Sequence, residues 1–479
     1  MKGKEAQMEN KNKFKQPVII LGITILILFL VSFLNPVYEI GGLKIKAIDL
    51  FSDIRNDPAE SQPQSLLKNL PGEITPVMKA GIGFSGLFNS GWDPTSSTGE
   101  KYENILSMAP VQGRPVQISG NIKQLSYFFD ALKNAKSKSV RIAHYGDSAI
   151  EGDLITSDIR EVFQNKFGGN GVGWLSITSQ DITFRMTTKQ TFSAGNWDTG
   201  ALYTSNPKAL PLGISGVCCV PKGNAWVQYE TTSARRYLRD FSIVKLYYGN
   251  AKSSSISYSF DGGAKQTAAL KTGAGIQELI MKPSGQAKSI RIDFPVADQA
   301  YFYGVSLENG TGVYIDNLPL RGNTGVDLGS LQPNILKDFS KYLDYKLIIL
   351  EFGLNIAGTR QTDYSWYERE MVKVINHLKA AFPKTSILMI SVHDKSMKKG
   401  TSLVTDPTII KLLESQKSIA KEADVAIWSL FDAMGGENSM PKWVDSNPPL
   451  AFKDYIHFND QGAKKVADLL TNALLSLYK

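Results

Sequence analysis

The sequence predicts an α/β domain with a parallel sheet, interrupted by an inserted all-β, sandwich-like domain and preceded by one N-terminal transmembrane helix. Three observations predict it. Residues 120–180 and 306–479 alternate amphipathic helical stretches with short, buried-looking apolar strands. Residues 181–305, between them, switch to the two-residue period of antiparallel strands. Ahead of both, Pro17 to Leu34 forms an apolar run of eighteen residues with no charge.

The chain has 479 residues, which favours two or three structural units over one. Apolar residues at 42% and charged residues at 20% are enough to bury an ordinary core. Part of the formal charge of +8 is local: Lys2, Lys4, Lys11, Lys13 and Lys15 face only Glu5 and Glu9 in the first sixteen residues. The rest is spread thinly, without the clustered footprint of a nucleic-acid binder. The only cysteines, Cys218 and Cys219, are adjacent, too close for a relaxed disulfide. With no C-x-x-C pair and no Cys/His cluster, no metal site is expected, and the two cysteines read as small buried strand residues.

Residues 1–16 read as a cytoplasmic tail and 17–36 as a transmembrane signal anchor. As a helix, the apolar run rises about 27 Å, close to the hydrocarbon thickness of a bilayer. It ends in Phe33-Leu34-Asn35-Pro36 with no small-residue cleavage site, which favours an anchor over a cleaved signal peptide. The basic flank stays inside, so everything beyond is expected on the extracytoplasmic side, periplasmic or at the cell surface. Residues 37–119, broken by Pro58, Pro63, Pro71, Pro76, Pro94, Pro110 and Pro115, read as a stalk or extended region.

The first part of the α/β domain, 120–180, opens with an amphipathic helix over Asn121–Ala135, where Ile122, Leu125, Phe128, Phe129 and Leu132 share one face. A buried strand from Ser139 to His144 follows, then Tyr145-Gly-Asp-Ser148, a helix around Leu154–Phe167 and a Gly168-Gly169-Asn170-Gly171 stop. In the insert, runs such as Trp226–Tyr229, Ser242–Tyr248, Ser255–Phe260, Gln277–Met281 and Ser289–Phe294 are separated by turns such as Asp261-Gly262-Gly263. In the second part, 306–479, Tyr345–Phe352 and Ser386–Ser391 read as buried strands. Trp366–Phe382, 407–422 and 460–478 read as helices.

Three segments carry candidate chemistry. Ser148 follows a strand in Gly146-Asp147-Ser148, where an open α/β sheet presents its ligands, although a helix cap explains such a tripeptide equally well. Asn355 follows a second strand in Gly353-Leu-Asn355 and can donate to a developing oxyanion, with a simple turn as its alternative. Of the four histidines, His457 alone has a carboxylate, Asp454, three residues earlier and just ahead of a helix. That spacing lets one loop carry both an imidazole and the group that orients it.

In this order and in these strand contexts, the three segments resemble the SGNH (GDSL-type) hydrolase family. The resemblance implies a three-layer α/β/α domain in which Ser148 is the nucleophile, His457 its base and Asp454 the group behind the histidine. It also implies an oxyanion site formed by the Ser148 N–H, the Asn355 side chain and a glycine N–H. The stretch Gly304–Gly325 resembles the block that supplies this glycine, and Gly322 is preferred over Gly325. Ser148 and Gly322 lie 174 positions apart, and the β-rich insert fills the excess. The arrangement resembles bacterial peptidoglycan and polysaccharide O-acetyl esterases with a carbohydrate-binding-like insert. Trp197, Trp226, Tyr229, Tyr247 and Tyr248 are candidates for stacking on sugar rings, with sandwich core as the plainer explanation of each.

The expected activity is removal of O-acetyl groups from an acetylated polysaccharide or peptidoglycan, with no cofactor. One alternative is a glycan O-acetyltransferase with the same triad, partnered by a multi-span membrane acyltransferase that exports the acyl group. Another is a non-catalytic glycan-binding protein.

Overall fold

The structure, a computed structural model, describes residues 38–40, 43–45, 113–204, 206–294, 300–358 and 363–479. The expected tail and membrane anchor, and most of the 37–119 stretch, lie outside the described residues. Among the described residues no helix is long and apolar enough to cross a membrane. The chain divides into two units, Met1–Gly83 and Phe84–Lys479. In the first, Tyr38–Ile40 pairs antiparallel with Leu43–Ile45.

The second unit contains a six-stranded sheet in the order Gly312–Pro319, Ser139–Gly146, Tyr345–Glu351, Ser386–Ile390, Ala426–Trp428 and Ser119–Gly120. The first five strands are parallel, and the short last one is antiparallel. Numbered along the chain, the parallel strands run 2-1-3-4-5. Their connections therefore diverge between Ser139–Gly146 and Tyr345–Glu351, and a crevice opens at the carboxyl ends of those two strands. Both strands are buried almost throughout, which fits a parallel sheet covered on both faces.

Each face has its own apolar layer. Ala143, Tyr145, Ile348 and Leu350 pack with Phe339, Ile375 and Leu412 from the helices Pro333–Leu343, Ser365–Ala381 and Pro407–Glu422. Ile142, Leu347 and Ile349 pack on the other side with Phe128, Ile159, Phe163 and Leu470, from Ser126–Leu132, Thr156–Phe167 and Asp460–Leu477. The result is a three-layer α/β/α domain.

Between the Thr156–Phe167 helix and the Gly312–Pro319 strand, the chain forms two antiparallel sheets. One contains Gln277–Met281, Ile243–Gly249, Tyr301–Glu308, Val217–Pro221 and Trp197–Ala201, with Gly173–Ser176 pairing to Tyr301–Glu308. The other contains Gln266–Ala269, Ser255–Phe260, Ser289–Asp293, Trp226–Thr231 and Thr188–Phe192. Val244, Leu246, Tyr248 and Phe302 of the first meet Val227, Tyr229, Ile256 and Ile292 of the second in one core. Cys218 and Cys219 are free and buried on a strand.

The sandwich is fused to the α/β domain through buried charge. Arg141 on the first parallel strand reaches Glu308 of the insert and Asp316 of the next parallel strand, the latter at 2.8 Å. Lys245 adds a second cation at 2.9 Å from Glu308. Burial pushes the Glu308 carboxyl up, but Arg141 and Lys245 outweigh it and hold the pKa below the usual range. These charges are costly to leave unpaired, and they lie beside an apolar seam in which Tyr247 and Tyr303 of the first sheet pack against Phe339 of the α/β domain.

Candidate active site

Ser148 stands two residues beyond the Ser139–Gly146 strand, at the crevice the strand order creates. The chain turns sharply there. The Asp147 N–H donates to the Glu351 carbonyl on the neighbouring strand at 3.3 Å, and the Asp147 carboxylate accepts the Ala149 N–H at 3.0 Å. That cap starts a short 3-10 turn at Ser148, which is half-buried at its head, and the segment to Asp153 kinks at Glu151 and Gly152, whose backbone is not helical.

His457 approaches from the C-terminal side. Ser148 Oγ lies 3.2 Å from His457 Nε2, and His457 Nδ1 lies 2.7 Å from Asp454 Oδ2. The carboxylate accepts from Nδ1–H, which leaves Nε2 as the acceptor facing the serine hydroxyl. Asp454 Oδ1 also accepts the Ile456 and His457 N–H groups at 2.9 and 3.1 Å. Burial raises the Asp454 pKa, but these hydrogen bonds outweigh it and leave the carboxyl below its ordinary value.

The loop carrying both residues is closed tightly. Asn459 N–H donates to the Leu450 carbonyl at 3.2 Å and Phe452 N–H to the His457 carbonyl at 2.9 Å. Asn459 caps the Asp460–Leu477 helix, accepting the Gly462 N–H at 3.0 Å. A Cβ on Gly462 would stand 1.8 Å from the Leu450 carbonyl oxygen, so only glycine lets helix and loop meet. Beneath the loop, buried His393 donates from Nε2 to the Ile456 carbonyl at 2.8 Å and packs 4.5 Å from the Phe458 ring. Burial pushes the His393 pKa down to about 4, against the opposing effect of the Ile456 bond, and keeps the ring neutral.

The expected oxyanion residues gather on the other flank. Asn355 lies in the Leu354–Ile356 turn after Gly353, and its Nδ2 donates to Asp147 Oδ2 at 2.9 Å and to the Asn323 carbonyl at 3.0 Å. Gly322 is exposed, with φ of +73° and nothing within 4 Å of where a Cβ would be. Gly325 is buried, and its N–H is already committed to Asn323 Oδ1 at 2.7 Å. Gly322, Asn323, Arg321, Thr324 and Asp327 form one wall of a cleft of about 460 Å³, and Leu202, Tyr203 and Thr204 of the sandwich form the other.

The Asp147 carboxyl is itself strongly perturbed. Burial pushes its pKa up to about 7. The Ala149 N–H and His457 oppose the rise, while Glu351 adds to it.

Several supporting residues carry no sequence signal of their own. Asp147 sits inside the quoted tripeptide, yet its bond to Asn355 spans 208 positions. His393, Asn323, Glu151 and Arg321 each act through partners far away in the chain, which a motif cannot display. Of the five aromatic candidates for sugar stacking, Trp197, Tyr229, Tyr247 and Tyr248 are buried in the cores. Trp226 is half-exposed, with the Arg291 guanidinium 4.0 Å over its ring.

No family model matches this sequence, and no curated protein does. Among solved structures, the chain is similar to one described as a peptidoglycan O-acetylesterase in action, at TM-score 0.62 and 19% identity, covering 75% of this chain and 99% of that one. A salicylyl-acyltransferase from a tetracycline biosynthetic pathway matches at TM-score 0.27 and 14% identity, over 60% of this chain and 97% of that one. An acetyl xylan esterase matches at TM-score 0.26 and 20% identity, over 34% and 80%. At 19% identity, the first of these likenesses speaks to the fold.

Proposed function

We propose that this chain, a protein of the SGNH (GDSL-type) hydrolase fold, is a membrane-anchored extracytoplasmic serine esterase that removes O-acetyl groups from a cell-wall or surface glycan. The observation that carries the reading is the hydrogen-bonded chain Ser148 Oγ, His457 Nε2, His457 Nδ1, Asp454 Oδ2, with spacings of 3.2 and 2.7 Å at the crevice of the parallel sheet. A serine with a base in reach, and that base oriented by a third group, is the arrangement needed for nucleophilic attack on an ester.

In this mechanism His457 takes the Ser148 proton as the hydroxyl oxygen attacks the acetyl carbonyl. Asp454 stabilises the imidazolium that forms. The tetrahedral oxyanion is met by the Ser148 N–H, the Gly322 N–H and the Asn355 amide. Collapse breaks the bond from the acyl carbon to the sugar oxygen, which takes the His457 proton as it departs, and leaves acetyl-Ser148. Water, deprotonated by His457, then attacks the acyl carbon; the bond to Ser148 Oγ breaks, the proton passes from His457 back to Oγ, and acetate leaves.

The substrate class draws on the similar structure, described as a peptidoglycan O-acetylesterase, and on the cleft shared with the sandwich. The uncharged run Pro17–Leu34 supports the anchor and the extracytoplasmic location. The test is hydrolysis of 4-nitrophenyl acetate and release of acetate from O-acetylated peptidoglycan by the full-length protein, alongside Ser148→Ala. Loss of both activities in the variant is expected, and equal rates would sink the reading. Accumulation of newly acetylated glycan in place of free acetate would convert it to the transferase.

A further inference from the structure

We infer that Glu151 and Arg321 are a positioning pair, whose contact sets the spacing between the nucleophile and the turn carrying Gly322. The inference rests on the serine-esterase reading and deepens it.

The turn around Gly322 is held from both sides of Ser148. At its base, the Leu320 N–H donates to the Gly146 carbonyl at 2.8 Å, two residues before the serine, and the Asn323 N–H closes the turn on the Leu320 carbonyl at 3.0 Å. At its tip, Arg321 Nε and Nη2 both lie 2.6 Å from Glu151 Oε2, three residues after the serine. Gly322 itself has open space around it and no packed side chain to hold it. Its N–H is therefore located by its two neighbours: Asn323 ties the turn to Asp327 at 2.7 Å and to Asn355 at 3.0 Å, and Arg321 is the neighbour that ties it to the segment carrying Ser148.

The pair is built to hold its geometry. The Glu151 side chain is 6% exposed and that of Arg321 26%, so the bond is largely shielded from water and salt. Phe184 of the insert backs both residues. Its ring lies 6.0 Å from the Arg321 guanidinium and leaves no room for a Cβ on Gly152, next to Glu151. A guanidinium contacts the carboxylate through two nitrogens, which a lysine cannot do. Neither residue touches the reacting atoms. They act by keeping the Ser148 and Gly322 N–H groups at one separation, and misplacement of about 1 Å costs on the order of a hundredfold in rate.

The test uses the full-length protein with 4-nitrophenyl acetate, comparing wild type, Glu151→Gln, Arg321→Gln, Arg321→Lys and the double variant E151Q/R321Q. Each neutralising single change is expected to lower kcat by about ten- to a hundredfold, with KM within about threefold. The double variant should be no worse than the weaker single by more than about threefold, because one contact is lost in all three. Arg321→Lys should recover part of the loss. Should a neutralised variant fail to fold, Glu151→Asp keeps the charge while shortening its reach, and the same fall in kcat is expected.

Singles within threefold of wild-type kcat, or losses that multiply in the double variant, would overturn the pairing while leaving Ser148-dependent hydrolysis intact. Absence of any difference between wild type and Ser148→Ala would instead overturn the esterase reading, and this inference with it.

Discussion

The side-chain amide of Asn355 donates to the Asp147 carboxylate at 2.9 Å and to the Asn323 carbonyl at 3.0 Å. Both Nδ2 hydrogens are therefore engaged by groups that converge from two other segments. An arriving oxyanion has to take one of these places, and the other bond then aims the amide. Asn355→Ala removes the donor and should lower kcat about a hundredfold or more with little change in KM, as measured on a chromogenic acetyl ester. A change confined to KM would show that Asn355 binds the ground state instead.

Asp147 carries a pH signature. Its folded pKa, raised by burial to about 7, exceeds the ordinary carboxyl value of 3.8. From pH 4 to 7 the unfolded chain gives up this proton while the folded one keeps it, so this group lowers stability as pH rises through that window. Asp147→Asn removes the titration. Urea melts at pH 4.5 and 7.5 should show a smaller loss of stability with rising pH in the variant than in wild type, and identical differences would refute the assignment.

The role given to Asp454 predicts a loss larger than its exposure suggests. An amide in its place presents a donor to His457 Nδ1 and favours the tautomer with hydrogen on Nε2, facing Ser148. Asp454→Asn should lower kcat by about three to four powers of ten with the melting temperature nearly unchanged. Retention of more than a tenth of wild-type kcat would remove Asp454 from the mechanism.

Two glycines in one turn should respond unequally. At Gly322 a Cβ meets nothing, and only the positive φ is strained, so Gly322→Ala should cost about 1 kcal/mol. At Gly325 a Cβ would stand 2.8 Å from the Phe352 ring, in addition to a φ of +90°. Gly325→Ala should cost about 3 kcal/mol or more. Thermal melts of the two variants check the order, and a reversed ranking would contradict the packing described.

The parts of this site that the sequence revealed share a physical cause. Ser148, Asn355 and His457 each follow or precede an element with strong local periodicity, so their positions at strand and helix ends were legible without tertiary information. The Gly312–Pro319 strand was not, because buried Asp316 and Asn317 break its apolar run. Asp316 is made tolerable by Arg141, 175 positions away. For the sandwich aromatics the plainer expectation, core, holds for Trp197, Tyr229, Tyr247 and Tyr248. Alternation shows that the adjacent Tyr247 and Tyr248 point to opposite faces of one strand, but not that both faces are covered, Tyr247 by the α/β domain and Tyr248 by the second sheet. Glu151 and Arg321 look like ordinary surface charges until the fold brings them together.

His393 offers the last test, and it separates support from chemistry. The ring donates from Nε2 to the Ile456 carbonyl, one residue before His457, and burial holds its pKa at about 4, below the ordinary 6.5. Between pH 6.5 and 4 the unfolded chain binds a proton that the folded one refuses, so this group lowers stability as pH falls. That sign is opposite to the Asp147 effect in an overlapping window, so wild type alone shows neither cleanly and each variant must be compared with it. His393→Gln keeps a donor for Ile456 without the titration. It should keep kcat within about tenfold while losing less stability between pH 6.5 and 4.5. His393→Leu strands the carbonyl and loosens the loop, and should cost about 1–3 kcal/mol together with a larger fall in kcat. Equal activity and stability in the two variants would show that the hydrogen bond beneath the Asp454–His457 loop does not hold it in place.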